Sequence, residues 1–360
     1  MAKRIDQLDG IRAVAISLVV IHHLFHVRLL WMGVDLFFVL SGFLITGRLL
    51  ENKGRSIRGY FGHFYARRAR RILPPYLLLL LITVLVFGTW WLRSWYICLF
   101  LTNFAVVVGA QLPESLCILW SLGVEEQFYL AWPFAVYFLG EVTIAWLAAS
   151  LIFVAPLLRW FCTPLFPSVW FIYTLTPFRM DTLAAGALIA IIWRRRQYWI
   201  KQFGHFGPIL SLVAAGVLGL LAKNSRFTTS ANTRESNTFI YELTLIIVTG
   251  IVLWALSGRA VRILTFAPVR YLGRISYTVY LVHLTVFALV ARYVRGTTET
   301  VLATLFITLL FASASWFLLE RPILGRPENK VISSIRPIPP VDELEQQTIQ
   351  LKGARFTSLP

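Results

Sequence analysis

The sequence predicts an all-α integral membrane protein of about ten transmembrane helices, with both termini in the cytoplasm. Three observations predict this. Hydrophobic residues make up 58% of the 360-residue chain and charged residues only 14%, against roughly 45–50% and about 25% in soluble domains. The apolar residues are gathered into runs (11–27, 74–92, 143–161, 206–222, 239–257, 271–291 and 301–319), each near the 20 or so residues that span a bilayer. Finally, the net charge of +17 sits in short basic clusters between the runs, as cytoplasmic loops require. A soluble fold of this size needs helices with polar faces, and these runs have almost none.

Taken in order, Lys3, Arg4 and Arg12 precede the first run and place the N-terminus inside. That run has no small-residue cleavage site and is expected to stay in the mature protein. A second run, 33–50, leads into the most basic stretch, where Arg48, Lys53, Arg55, Arg58, Arg67, Arg68, Arg70 and Arg71 face a lone acid, Glu51. Further basic groups at Arg194–Arg196 with Lys201, and at Arg259 and Arg262, are also expected inside. Between 71 and 194 the chain must then cross an even number of times. Apolar runs at 74–92, 95–111, 119–139, 143–161 and 179–193 are one too many, so the short 95–111 run is assigned as re-entrant or interfacial. Residues 162–178 and 223–238 fall outside.

Residues 1–322 thus form a transmembrane domain, and the polar, proline-rich 323–360 reads as a disordered cytoplasmic tail. The confinement of basic charge to loops argues against nucleic-acid binding. Cys98, Cys117 and Cys162 lie in or beside apolar runs and read as buried, inert thiols. No metal-ligand spacing is present and no metal is expected.

Ionisable groups in a bilayer cost about 2.5–3.5 kcal/mol each, so they mark function unless a partner explains them. The first run is dense in them: Asp9, Arg12, His22, His23 and His26. Arg12 and His23 are eleven residues apart, which on a helix is three turns plus roughly 20°. They share a face, about 16 Å apart along the axis, whereas His22 points about 80° and His26 about 60° away. Arg12 belongs at the cytoplasmic rim and His23 near mid-membrane. A neutral imidazole can take a proton from a hydroxyl near neutral pH, and a histidine can instead carry an acyl group; the residues leave both open.

Several motifs extend this pattern. Leu8-Asp9-Gly10-Ile11-Arg12, followed by His23, resembles the signature of the acyltransferase 3 family of membrane acyltransferases. Gly33-Val34-Asp35-Leu36-Phe37-Phe38-Val39-Leu40-Ser41-Gly42-Phe43-Leu44-Ile45 is similar to its second-span motif, and Phe64-Tyr65-Ala66-Arg67-Arg68-Ala69-Arg70-Arg71-Ile72-Leu73-Pro74 to its Arg-x-x-Arg segment, in which spacing alone puts Arg67 and Arg71 on one face and Arg68 and Arg71 nearly so. Trp120-Ser121-Leu122-Gly123-Val124-Glu125-Glu126, Phe178-Arg179-Met180-Asp181, Ile275-Ser276-Tyr277 through His283, and Glu320-Arg321-Pro322 follow in the family's order. The resemblance covers 5–322. It implies a cytoplasmic acyl-CoA donor, usually acetyl-CoA. The implied acceptor is a hydroxyl, commonly on a lipopolysaccharide, exopolysaccharide, peptidoglycan or other lipid-linked saccharide, in some members on a small molecule. The implied location is the inner (plasma) membrane, in contact with the lipid bilayer. Arg12 and His23 fall on the family's essential positions, Arg68 and Arg71 on its paired arginines. Many relatives carry a further hydrolase-like domain; none is expected here, which leaves the acceptor open.

Chemistry gives the matched positions candidate roles. Arginine forks bind phosphate bidentately, so Arg68 and Arg71 on the cytoplasmic side suit CoA; anchoring to anionic lipid is the alternative. Asp35 and Glu125, together with Glu126, are placed at the outer ends of spans, where carboxylates orient a histidine or grip an acceptor; helix-start acids favoured by the dipole are the alternative, above all for Glu126. Arg179 and Asp181 start another span from that side and are expected to pair with those acids. His283, near mid-membrane, is a candidate acceptor contact or a packing histidine. The rival reading is a proton-coupled transporter using the buried His, Arg and Asp groups, to which clustered arginines on one side add nothing.

Overall fold

The computed structural model describes residues 5–224, 227 and 231–325. The expectations placed on Lys3, Arg4 and on the tail from 326 onward lie outside the described residues. Among those residues the architecture is helical throughout, with no strand. Ten helices have 15 residues or more: α1 (Gln7–Phe25), α2 (Met32–Glu51), α3 (Ile57–Phe87), α4 (Trp120–Phe138), α5 (Glu141–Cys162), α6 (Met180–Phe203), α7 (Gly207–Leu221), α8 (Tyr241–Ser257), α9 (Ala267–Val290) and α10 (Thr297–Ser315).

Among the described residues, eight stretches are long and apolar enough to cross a membrane. One of them, Met180–Leu221, holds both α6 and α7, parted by the turn Gly204–Phe206. The other long helix is α4, made more polar by Glu125, Glu126 and Gln127. Large apolar side chains point outward around the bundle: Leu85, Leu212 and Leu318 are 77%, 72% and 80% exposed. Water would penalise each such side chain by about 1.5–3 kcal/mol, so acyl chains are the solvent that fits them. This is a multi-pass membrane protein.

The 95–111 run forms no long helix. It divides into the 3₁₀ segment Trp90–Leu99 and the short helix Thr102–Val107. Asn103, fully buried, donates to Thr176 Oγ1 (3.2 Å) and exchanges hydrogen bonds with Gln127. The inward side of this irregular segment packs on protein, where Trp91, Ile97 and Asn103 are buried, and such backbone is tolerated where protein covers it. One expectation about the cysteines is corrected here. Cys98 is exposed, and Cys117 and Cys162 are half-buried; all three are free thiols. An apolar run on the rim of a bundle has a lipid-facing side, and Cys98 is on it.

Helix α3 starts earlier than its apolar run. Ser56 caps it, accepting from Gly59 N at 3.3 Å, so Arg67–Arg71 lie within the helix. Pro74 and Pro75 also lie within it and remove the N–H donors that the carbonyls of Arg70 and Arg71 would otherwise receive.

Two close helix crossings set the centre. A Cβ on Gly42 of α2 would lie 1.9 Å from the Leu183 carbonyl of α6, and one on Gly186 of α6 would lie 2.0 Å from the Val39 carbonyl. Between α1 and α9, a Cβ on Gly273 would lie 1.8 Å from the Asp9 carbonyl oxygen. Small residues at such points let backbones touch, the main source of helix association in lipid. Arg270 donates to Asp6 (2.5 Å) and Arg274 faces Asp9 (3.8 Å), fixing the same ends of α1 and α9. The two helices run parallel, with Asp9 beside Gly273 and His23 beside His283.

Gly273→Leu is expected to abolish the folded protein, because the overpacking cost, about 1–3 kcal/mol in a yielding core, meets a rigid backbone here. Gly216→Ala, with nothing within 4 Å of the added carbon, is expected to be neutral. Thermal midpoints in detergent check both.

Candidate active site

The chemistry-bearing residues gather in three places along the bundle. The first is the far end of α1. His23 Nδ1 lies 2.9 Å from the Val19 carbonyl oxygen and 3.2 Å from Nε2 of His283 on α9. The two rings are 5.1 Å apart between centroids. His283 is 1% exposed, and His23 is half-buried. His22 turns elsewhere, its Nδ1 2.9 Å from the Val27 carbonyl oxygen. His26 is exposed and caps α1 in the left-handed region, with φ 55°.

The second place is a cavity lined by Arg12, Arg68, Arg71, Ser41, Glu125 and Tyr129, among others. Arg12, its side chain 18% exposed, donates to Asp9 at 3.4 Å. The Arg68 guanidinium stacks 4.5 Å above the Tyr129 ring. Glu125 accepts from Ser41 Oγ (3.0 Å) and Tyr129 OH (2.7 Å). Arg67 points outward, whereas Arg68 and Arg71 are half-buried. Five helices contribute: α1, α2, α3, α4 and α9, the last through Ser276, Tyr277 and Tyr280. Tyr280 donates to the Ile118 carbonyl (2.8 Å) and bonds Ser121 Oγ (2.6 Å). His23 is not in this lining, but the Tyr280 ring is 6.0 Å from that of His283.

Glu125 thus sits deeper than the sequence suggests. It lies level with Ser41, midway along α2, rather than at the outer end of a span. The reason is the folded-in 90–117 segment, beneath which α4 starts inside the protein: Trp120, Ser121 and Leu122 are all buried. Glu126 is beside it, with Oε1 buried and without a hydrogen-bond partner.

The third place is a buried ionic layer. Arg179, 1% exposed, donates to Asp35, likewise 1% exposed. Five aromatic rings surround its guanidinium, the nearest being Tyr241 at 4.8 Å and Trp31 at 5.4 Å. Asp181 does not join this pair. It accepts from Arg159 of α5 at 2.6 Å, and Arg159 also bonds Glu242 of α8 and the Phe178 carbonyl. Of the acids expected to pair with Arg179 and Asp181, only Asp35 does so, with Arg179; Glu125 lines the cavity, and Glu126 follows it in the chain. Arg159 and Glu242 were missed, although a charge inside each of the runs 143–161 and 239–257 is a legible signal. Among the described residues no group of three or more His, Cys, Asp or Glu side chains is placed to hold a metal ion.

Residues 5–320, spanning all three places, match the acyltransferase 3 family, described as an acyltransferase domain. The chain belongs to this family. It is 26% identical to the peptidoglycan O-acetyltransferase OatA of Listeria monocytogenes, over 89% of this chain and 56% of that protein. It is 28% identical to the putative peptidoglycan O-acetyltransferase YrhL of Bacillus subtilis (89% and 55%), and 27% identical to the O-acetyltransferase OatA of Staphylococcus aureus (88% and 56%). The chain spans a little over half the length of these relatives. No solved structure matches it.

In this acyltransferase-family chain, the ionic layer carries a stability prediction. Arg179→Leu leaves Asp35 buried and unpaired and is expected to cost about 3–5 kcal/mol. Adding Asp35→Leu is expected to restore much of that, because no buried charge of the pair then remains. Thermal unfolding of the single and double variants checks it.

Proposed function

We propose that this protein is an O-acyltransferase that moves an acetyl group from cytoplasmic acetyl-CoA to a hydroxyl of a cell-surface glycan, in the plasma membrane. The observation that carries the reading is the cavity in which Arg12, Arg68 and Arg71 converge from α1 and α3. Guanidinium forks bind phosphate oxygens in pairs, and CoA supplies a diphosphate and a 3′-phosphate. The glycan acceptor is suggested by relatives named for peptidoglycan O-acetylation.

In this mechanism Arg68 and Arg71 hold the phosphates, and Arg12 orients the donor at the inner end of α1. The pantetheine arm carries the thioester past Tyr280 toward His23, about 16 Å along α1 by helix rise. His23 takes the proton of the acceptor hydroxyl. The hydroxyl oxygen bonds the thioester carbon, the C–S bond breaks, and the proton passes to the departing CoA thiolate. His23 stands in the last turn of α1. Glu125, held by Ser41 and Tyr129, sets the polarity of the cavity wall beside Arg68. Asp35, neutralised by Arg179, acts through the fold rather than on the substrates.

The test uses inside-out vesicles from the native membrane, given acetyl-labelled acetyl-CoA. Wild type is expected to label a glycan or lipid-linked fraction. His23→Ala is expected to lower transfer by at least the roughly 10²–10⁴-fold of a general base. Wild-type transfer by a folded His23→Ala protein contradicts the reading.

A further inference from the structure

The histidine pair carries more than a shared location. A carbonyl oxygen only accepts hydrogen bonds, so an imidazole nitrogen facing one bears the proton. His283 Nδ1 faces two, Tyr280 O at 2.8 Å and Val279 O at 3.2 Å. In the neutral ring its Nε2 is then a bare lone pair. That lone pair faces His23 Nδ1 at 3.2 Å, and Val19 O faces the same nitrogen at 2.9 Å. Both neighbours of His23 Nδ1 accept, so Nδ1 carries the proton and Nε2 is the basic nitrogen.

Among the described residues no carboxylate stands beside His23. A carboxylate would be the usual partner for a catalytic imidazole, but Asp35 is paired with Arg179 and Glu125 is held by Ser41 and Tyr129. The titratable groups beside His23 on its own helix are His22, whose ring is 4.9 Å away, and His26; from the packed helices it is His283. His22 turns its Nδ1 to the Val27 carbonyl. His283 is itself fixed from the cavity side: Tyr280, whose carbonyl receives its Nδ1–H, is pinned through its hydroxyl to Ile118 and Ser121 at the start of α4.

We infer that His283 is a positioning residue for the reaction, a neutral acceptor that fixes the tautomer of His23 and shares the charge when its Nε2 takes the acceptor's proton. This rests on His23 as the base. The proton taken by Nε2 leaves the ring positive, the Nδ1–H···Nε2 bond to His283 strengthens, and the same proton later returns from Nε2 to the CoA thiolate. No oxidant, metal or further reactant enters.

The experiment compares His283→Leu, His283→Gln and His23→Ala in inside-out vesicles carrying the native acceptor, reading CoA thiol released from acetyl-CoA. The Gln side chain places an amide oxygen near the position of Nε2; Leu fills the space without an acceptor. His283→Leu is expected to lower kcat about 10- to 100-fold, the range of one hydrogen bond to a charged group, with KM for acetyl-CoA unchanged. His283→Gln is expected to recover most of the loss at an equal thermal midpoint. Equal rates for Leu and Gln, whether high or low, overturn the inference while an inactive His23→Ala leaves the base assignment standing. An active His23→Ala removes both.

Discussion

The contact on which the rest depends is the meeting of two backbones, α1 and α9, at Gly273 and Asp9. In lipid, apolar burial gives helices little reason to associate, so close packing and internal polar bonds must hold them. With a Cβ position only 1.8 Å from a carbonyl oxygen, no residue but glycine fits at 273 without a shift of one helix. That single close approach, extended by the Arg270–Asp6 and Arg274–Asp9 pairs, lays the helices parallel. Their far ends then bring His23 and His283 into hydrogen-bond reach. Gly42 and Gly186 do the same for α2 and α6, seating Asp35 against Arg179.

Buried charge falls into two kinds along the bundle, and the difference separates scaffold from site. In the ionic layer each guanidinium has a carboxylate: Arg179 with Asp35, and Arg159 with Asp181 and Glu242. Such pairs gain little net stability, but losing one partner is costly, which makes them good at enforcing a single arrangement of α2, α5, α6 and α8. In the cavity Arg12, Arg68 and Arg71 converge beside Glu125, which accepts from Ser41 and Tyr129, while Arg12 also bonds Asp9. In the proposed function an anionic donor adds its charge there. The aromatic rings divide likewise: five wrap Arg179, which is already paired, and one, Tyr129, supports Arg68, which faces the cavity.

Much of this was legible in the sequence, because apolar runs, basic loops and helix periodicity are local signals. The failure of 95–111 to form a long helix follows from its length and place between longer runs, and the one-face reading of Arg12 and His23 from helix geometry; Arg68 and Arg71 were singled out by the family resemblance, because spacing alone offers Arg67 with Arg71 as well. What the spacing could not give was tertiary. The depth of Glu125 depends on the 90–117 segment folding over the start of α4. The division of Arg179 and Asp181 between different partners depends on Arg159 and Glu242, from runs far away in the chain. The partnership of His23 with His283 spans 260 residues and is set by a glycine at 273. A hydrophobic run also does not reveal which of its sides faces lipid, which is why Cys98 emerges exposed.

The central claim is that donor binding and chemistry are separate stations on one helix bundle: the arginines hold CoA, and the histidine pair works at the other end. Direct binding of CoA to purified wild type, His23→Ala and Arg71→Ala in detergent measures this without the acceptor. The account predicts that His23→Ala binds CoA as wild type does while Arg71→Ala binds it at least about tenfold more weakly, as loss of one charge-assisted phosphate contact requires. Wild-type affinity in folded Arg71→Ala, or loss of binding in His23→Ala, would contradict it.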